Sequence, residues 1–288
     1  MINERSVGAS AIGYIGLGAA ALSLSADHDD GRSIEVIHAA LDAGVRLIDT
    51  AYAYTTLDGL NHNESLIAQA LQSHPSGSSA FVVSKGGHWR TAENFPIDGR
   101  PEVLRSHVDL SLKALGQEAI DLYFLHWPDP QVPIEESAGA LEELRSLGKI
   151  RAVGLSNVSQ AQLEQAGRSA RIDAVQNHLS IFDRDDAPLA RWAHERGIAY
   201  LAYSPLSGSG RSGTGRLEVL REFGEARGAS PQQIALAWLL QSSPALPLVG
   251  ASRPASIRDS AQAATVSLTA AELLEITELV DKADAIKG

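Results

Sequence analysis

The sequence predicts an α/β fold: a single (β/α)8 TIM barrel with an N-terminal β-hairpin and an appended C-terminal helix, running as one domain through residues 1–288. Three observations predict it. Short apolar runs recur along the chain, amphipathic stretches separate them, and no charge run or low-complexity linker interrupts the series. Parallel strands buried on both faces read as near-continuous apolar runs, and about eight strand–helix units close into a barrel.

In chain order the apolar runs are Tyr14–Leu17, Val45–Ile48, Ala80–Val83, Ala119–Leu125, Ile150–Leu155, Ile172–Val175, Ile198–Tyr203 and Leu246–Val249. Between them, apolar residues fall at three-to-four spacing in Ser33–Asp42, Asn63–Gln72, Pro101–Leu115, Ile134–Leu147, Ala161–Ser169, Ala187–Arg196 and Pro231–Gln241, which predicts helices. Gly44, Gly116, Gly148 and Gly197 stand where a helix has to stop before the next strand, the place of a left-handed C-cap. Thr269–Asp284 follows the last unit as an extra helix, opened by a Thr269/Glu272 capping box.

Composition narrows the function. With 24 Lys+Arg against 35 Asp+Glu the net charge is −11, which argues against nucleic-acid and membrane-surface partners; an anionic cofactor still needs only a local arginine cluster. The absence of cysteine removes disulfides, thiolate-bound zinc, iron–sulfur clusters and a cysteine nucleophile, and suits a cytoplasmic enzyme. Ala9–Ala26 is apolar like a signal-peptide core, but Met1–Ser6 lacks net positive charge, and Gly8 just before the stretch and Gly13, Gly16 and Gly18 within it break it up, so no secretion is expected. No run approaches about 18 apolar residues, so no membrane span is expected either. The histidines show neither H-x-H nor H-E-x-x-H spacing, and no metal is expected.

In a parallel barrel the chemistry collects at the carboxyl ends of the strands. The residues there are Gly18, Asp49, Lys85, His126, Ser156-Asn157, Gln176-Asn177, Tyr203-Ser204 and Gly250-Ala251-Ser252. Asp49 and Lys85 close neighbouring strands, so their heads can pair. Tyr54, five residues past Asp49, can fold back over the mouth. An ammonium beside a phenol is expected to lower its pKa from about 10, which would ready Tyr54 to protonate a developing alkoxide, with His126 holding the same oxygen. A hydride has to come from a cofactor, because no side chain supplies one. Ser156, Asn157 and Gln176 suit a carboxamide, and the Tyr203 ring suits stacking on a nicotinamide. Taken singly, Asp49 reads equally as a helix cap, Lys85 as a solvated lysine and His126 as a core histidine; their joint placement on one rim carries the reading.

These segments resemble the aldo-keto reductase superfamily. Gly44 to Tyr54 (GVRLIDTAYAY) is similar to its G-x-R-x-x-D-T-A-x-x-Y segment, Ile120 to Pro128 (IDLYFLHWP) to I-D-L-Y-x-x-H-x-P, and Gly148 to Asn157 to G-K-I-R-x-x-G-x-S-N. Tyr203-Ser204-Pro205-Leu206 and Gly250-Ala251-Ser252 resemble further cofactor segments, and the likeness runs from about Gly16 to Ser260. It implies a barrel oxidoreductase that reduces an aldehyde or ketone with NADPH. Tyr54 would be the general acid, tuned by Lys85 and Asp49, and His126 would orient the carbonyl. Gly18, Ala19, Asp49, Ser156, Asn157, Gln176, Tyr203, Ser204, Leu206, Gly250 and Ser252 would hold the cofactor.

At the adenosine end Asp259-Ser260 stand where relatives often have E-N, and Ser256 stands where a basic residue often reads the 2′-phosphate. All three are carried as cofactor positions; Arg253 and Arg258 lie near enough to take over the phosphate, and NADH stays open beside NADPH. Trp127 and Trp89 are assigned to the substrate pocket, while Tyr52, Trp192 and Trp238 are expected to pack. Gly288 follows soon after the last helix, where some relatives have a long loop that walls the pocket, so an open pocket with broad substrate choice is expected.

Gly16 to Ala21 fits G-x-G-x-x-A and Gly208 to Gly213 fits G-x-G-x-x-G, but neither opens a helix as a Rossmann turn must. The first is expected to precede a helix delayed to about Ser33, and the second to form a strap over the cofactor. Two other functions stay open: a non-catalytic nicotinamide-binding regulatory subunit, and a lyase or isomerase with Lys85 as a Schiff-base amine, which a neighbouring Asp49 disfavours by keeping Lys85 charged. The substrate and the oligomeric state are not legible.

Overall fold

The computed structural model describes residues 4–25, 27–57, 59–207 and 214–287. It opens with an antiparallel hairpin, β1 (Arg5–Val7) and β2 (Ser10–Gly13), followed by β3 (Gly16–Gly18), α1 (Ala21–Leu24), α2 (Asp30–Asp42) and β4 (Leu47–Asp49). Next come α3 (His62–Gln72), β5 (Phe81–Gly86), α4 (Pro101–Leu115), β6 (Leu122–Leu125), α5 (Ile134–Ser146) and β7 (Val153–Ser156). The chain continues through α6 (Gln160–Ala166), β8 (Ala174–His178), α7 (Ala187–His194), β9 (Ala199–Tyr203), α8 (Arg221–Glu225) and α9 (Pro231–Ser242). It finishes with β10 (Leu246–Gly250), α10 (Pro254–Ala261) and α11 (Ala270–Lys287).

Strands β3 to β10 pair in parallel, each with its sequence neighbour, and β10 returns to β3 to close the barrel. Each of the eight apolar runs overlaps one of these strands. All of them but β10 start one to three residues later than their runs, β6 at Leu122 and β7 at Val153 furthest, where Ile120 and Ile150 are joined only by an isolated bridge. Gly44, Gly116, Gly148 and Gly197 all have positive φ, between 62° and 79°, as left-handed stops require. Thr269 and Glu272 hydrogen-bond reciprocally at the head of α11, and that helix is anchored to α9 by the Trp238 indole, which donates to Thr277 Oγ1 at 3.0 Å.

Three helices go beyond the sequence reading: α1, α8 and α10. The first two are too short for periodicity to show. A turn of helix starts at Ala21, the last residue of the first glycine motif, and α2 begins at Asp30 rather than Ser33 because Asp29 caps it by accepting the Arg32 N–H at 2.8 Å. Gly16 and Gly18 themselves lie in β3, so the motif is barrel wall. Gly208–Gly213 lies outside the described residues. Among the described residues no helix is long and apolar enough to cross a membrane.

Side chains alternate across a strand, so every second residue enters the barrel lumen. Leu47, Val83, Leu122, Phe124, Ala174, Leu201, Leu246 and Leu248 fill it in one buried cluster, closed underneath by Val7 and Ile12 of the hairpin. Two residues further along each strand, the inward position reaches the open end. There stand Gly18, Asp49, Lys85, His126, Ser156, Gln176, Tyr203 and Gly250. The pleat therefore delivers eight side-chain positions to one rim.

Phe124 fills the upper lumen because Gly154 makes room: a Cβ on Gly154 would overlap the Phe124 ring. Overpacking a dense core costs about 1–3 kcal/mol. Gly154→Ala is therefore expected to lower the unfolding free energy by that amount, seen as a lower urea midpoint, and Phe124→Leu added to it to recover part of the loss; an unchanged midpoint in the single variant would show that the ring can yield.

Candidate active site

Lys85 is fully buried, and three acceptors meet its ammonium. Nζ donates to Asp49 Oδ2 at 2.7 Å, to the Thr50 carbonyl at 2.8 Å and to Tyr54 Oη at 3.5 Å. The loop after β4 makes this possible. It first runs along β5, with the Thr50 N–H on the Val83 carbonyl and the Tyr52 N–H on the Lys85 carbonyl, and then turns tightly so that the Tyr54 N–H reaches the Ala51 carbonyl. Tyr54 thus comes back over the strand ends, and its ring lies 4.9 Å from Lys85 Nζ. The second Asp49 oxygen accepts from Gln176 Nε2 at 2.8 Å. Both carboxylate oxygens are therefore fixed.

Burial alone would lower the Lys85 pKa, but Asp49 and then Tyr54 outweigh it and hold Lys85 above the ordinary lysine value. Tyr54 is corrected in sign. Its phenol is pushed up, because burial exceeds the pull of Lys85 and Asp49 opposes that pull. His126 is pushed well below the ordinary histidine value by burial, then by Lys85 and His88. Its ring meets Tyr54 edge-on at 5.6 Å and His88 edge-on at 4.9 Å, and its buried Nδ1 has no partner among the described residues.

Above this group opens a cavity of about 340 Å³, lined by Gly18, Asp49, Tyr54, His126, Trp127, Ser156, Asn157, Gln176, Tyr203, Ser204 and Gly250 among the predicted residues. Ala20, Ala21 and Leu248 complete the lining. The predicted Ala19 is buried behind it: its N–H is on the Asp49 carbonyl and its own carbonyl is held by Asn63, so its two successors face the space instead. Asn157 spends its amide on the wall, donating to the His126 carbonyl and Ser156 Oγ at 3.0 Å and accepting from Tyr203 Oη at 2.8 Å. Asn157 and Ser204 both adopt the left-handed region, with φ of 60° and 51°. Such backbone strain in non-glycine residues gathers at working sites.

Several predicted residues lie elsewhere. Trp89 is corrected: it faces a separate cleft of about 330 Å³ with Tyr52 and His107, because the loop after β5 carries it outward. Leu206 packs on the core. Ser252 is exposed in the turn before α10, and Ser256 is half-buried in that helix. Asp259 is tied to the head of α9, accepting from Ser230 Oγ at 2.7 Å and Gln233 Nε2 at 2.8 Å, while Ser260 is buried. Tyr52 stacks on His107 at 3.8 Å, and Trp238 is buried under α11. The sequence reading missed His88, three residues past Lys85, and Asn63, which accepts from Thr50 Oγ1 at 2.6 Å behind Lys85. His88 gave a signal by position alone, close behind Lys85; Asn63, at the head of α3, gave none.

The chain belongs to the Aldo/keto reductase family, whose model matches residues 14–281. It is thus an oxidoreductase of that family on a TIM barrel. It is 35% identical over 207 residues to the aldo-keto reductase YhdN of Bacillus subtilis (strain 168), a match covering 71% of this chain and 61% of that protein. A glycerol dehydrogenase from Gluconobacter oxydans, AKR11B4, superimposes with a TM-score of 0.85 at 28% identity, over 98% of this chain and 95% of that one. An aldo/keto reductase from Klebsiella pneumoniae, solved in complex with NADP and acetate, gives 0.81 at 25% identity, over 97% and 95%.

The ionisations carry a prediction. His126 is depressed, as is His88, and burial takes His107 down to about 4. The unfolded chain binds these protons first, near pH 6.5, so this part of the stability is present above about pH 6.5 and is lost as the pH falls below it. The urea midpoint is expected to drop between pH 7 and pH 5. Ring-labelled histidine NMR is expected to show His126 neutral throughout that range, and a His126 transition at or above pH 6.5 would contradict the assignment.

Proposed function

We propose that the protein is an NADPH-linked carbonyl reductase in which Tyr54 is the general acid. The observation that carries the reading is the 3.5 Å contact between the Tyr54 hydroxyl and a lysine ammonium pinned by Asp49 beneath an open cavity. Tyr54 keeps its proton at neutral pH and gives it up only to a stronger base. An alkoxide forming at a reduced carbonyl is such a base, and Lys85 stabilises the phenolate left behind. His126, neutral and beside Tyr54, is placed to donate to the same oxygen.

The cavity suits a nicotinamide. Gly18 and Gly250 are partners across β3 and β10, and a Cβ on either would meet no protein atom closer than 3.8 Å. Protein packing does not require glycine there, and the missing side chains widen the open space above. Tyr203 offers its ring to that space, with Ser156, Asn157 and Gln176 supplying amide and hydroxyl partners. When bound, the reduced nicotinamide supplies the hydride that no side chain can. Arg253 and Arg258, exposed around α10, would meet a 2′-phosphate, and the relative solved with NADP supports NADPH as the cofactor.

The test is NADPH oxidation measured with a panel of aldehydes and ketones. Turnover is expected, and Tyr54→Phe is expected to lower kcat by about 10²–10⁴-fold while cofactor affinity is kept. Tight NADPH binding without turnover on any carbonyl would overturn the catalytic reading and favour a cofactor-binding subunit. Replacing Arg253 and Arg258 together by Ala is expected to weaken NADPH about 10-fold or more while leaving NADH unchanged, since charge-assisted hydrogen bonds contribute about 1.5–3 kcal/mol. Equal loss for both cofactors would remove the arginines from phosphate recognition.

A further inference from the structure

We infer that His28, Asp30 and His62 form a binding site for a divalent transition-metal ion of the zinc class, on the barrel rim beside the catalytic cavity. One ligand atom from each residue lies within 4.8 Å of the other two. His62 Nε2 is already 3.2 Å from Asp30 Oδ1, close to the roughly 3.4 Å that separates two ligands on a tetrahedral zinc with bonds of about 2.1 Å. The His28 ring stands edge-on to His62 with centroids 5.5 Å apart. His28 is exposed, so a small rotation closes the third edge without disturbing packing. Two imidazoles and one carboxylate select zinc, cobalt or nickel over magnesium or calcium, which prefer oxygen ligands.

A second observation makes this more than a surface cluster. A metal-binding histidine usually gives its other ring nitrogen to a fixed partner, which sets its tautomer and direction. His62 Nδ1 lies 2.8 Å from Ser23 Oγ, which leaves Nε2 to face Asp30 and His28. Ser23 is itself buried and accepts from Asn63 Nδ2 at 2.8 Å. Asn63 also holds the Ala19 carbonyl and accepts from Thr50 Oγ1, and the Thr50 carbonyl receives Lys85 Nζ. The outward nitrogen of His62 is thus backed by a hydrogen-bond chain that ends at the buried ammonium. Exposed Asp27 and Asp29 flank His28 and add negative potential where a cation would arrive.

An ion here would tie the segment before α2 to the head of α3, and through Ser23 it would hold α1, whose Ala21 lines the cavity. Histidine spacing within one element does not show the site, because its ligands lie on two elements over 30 positions apart.

Titration calorimetry of tag-free, chelator-treated protein with Zn²⁺ alone is expected to show one bound ion per chain. Exchange of amide hydrogens in residues 21–25 and 27–30 is expected to slow when Zn²⁺ is present. His28→Ala and Asp30→Asn, both at exposed positions, are expected to weaken Zn²⁺ by at least about 10-fold and to leave metal-free carbonyl turnover unchanged. Ser23→Ala is expected to weaken it about 10-fold with all three ligands still present, the usual cost of removing a ligand's supporting partner. No Zn²⁺ binding, binding unchanged in His28→Ala, or Mg²⁺ binding as tight as Zn²⁺ would each overturn the site.

Discussion

A lysine ammonium buried to zero exposure has to be answered by charge and by hydrogen bonds, or it discharges. The barrel answers Lys85 with Asp49 on the neighbouring strand, and much else follows from that pair. The loop after β4 has to return along β5 to bring the Thr50 carbonyl to Nζ, and that return carries Tyr54 over the mouth. Asp49 has to be held from its other side, and Gln176, three strands further round from β5, does so at 2.8 Å. Gln176 and Ser156 are linked in turn through the Gln176 carbonyl, and Asn157 joins them to Tyr203. One buried ion pair thus orders residues at the ends of five strands and in the loops that follow two of them.

The pleat explains why the rim was so legible. An apolar run ends where the lumen ends, and the next inward residue is polar because it meets open space. Reading two positions past Leu47, Val83, Phe124, Ala174 and Leu201 therefore finds Asp49, Lys85, His126, Gln176 and Tyr203 without any knowledge of coordinates. Tyr54 is the exception. It sits on a loop, where no period applies, and only its spacing from Asp49 in a known family pattern distinguished it from Tyr52.

What could not be read divides along the same physical line. Trp89 lies three residues beyond the end of β5, and a loop's direction depends on what it packs against; here the Trp89 ring meets His107 edge-on. Ala19 gave way to Ala20 and Ala21 because Asn63, from another element, takes the Ala19 carbonyl. Asp259 looked free to bind a ligand, yet it is consumed by the Ser230 and Gln233 cap of a helix far earlier in the chain. The sign of the Tyr54 shift failed for a related reason. A neighbouring ammonium is visible in sequence, whereas the desolvation that outweighs it is a property of the assembled site.

The same competition appears one layer deeper and bears on how the ammonium is held. Glu64 is fully buried, accepting from Ser84 Oγ at 2.6 Å and Asn61 Nδ2 at 2.5 Å, and Lys85 lies within its electrostatic reach. Burial nevertheless raises the Glu64 pKa, because these donors and the more distant Lys85 recover less than desolvation costs. Asp49 is in direct contact with the ammonium and its second oxygen is fixed by Gln176, so it is the better placed of the two to carry the compensating negative charge. The two carboxyls are thus unequal by construction. Asp49, at the strand end, forms the ion pair, and Glu64, at the head of α3, braces Ser84 next to Lys85 and the left-handed Asn61 before the helix. That division leaves the ammonium held by Asp49 and turned toward Tyr54, while the Glu64 carboxyl is hydrogen-bonded to the residues around it.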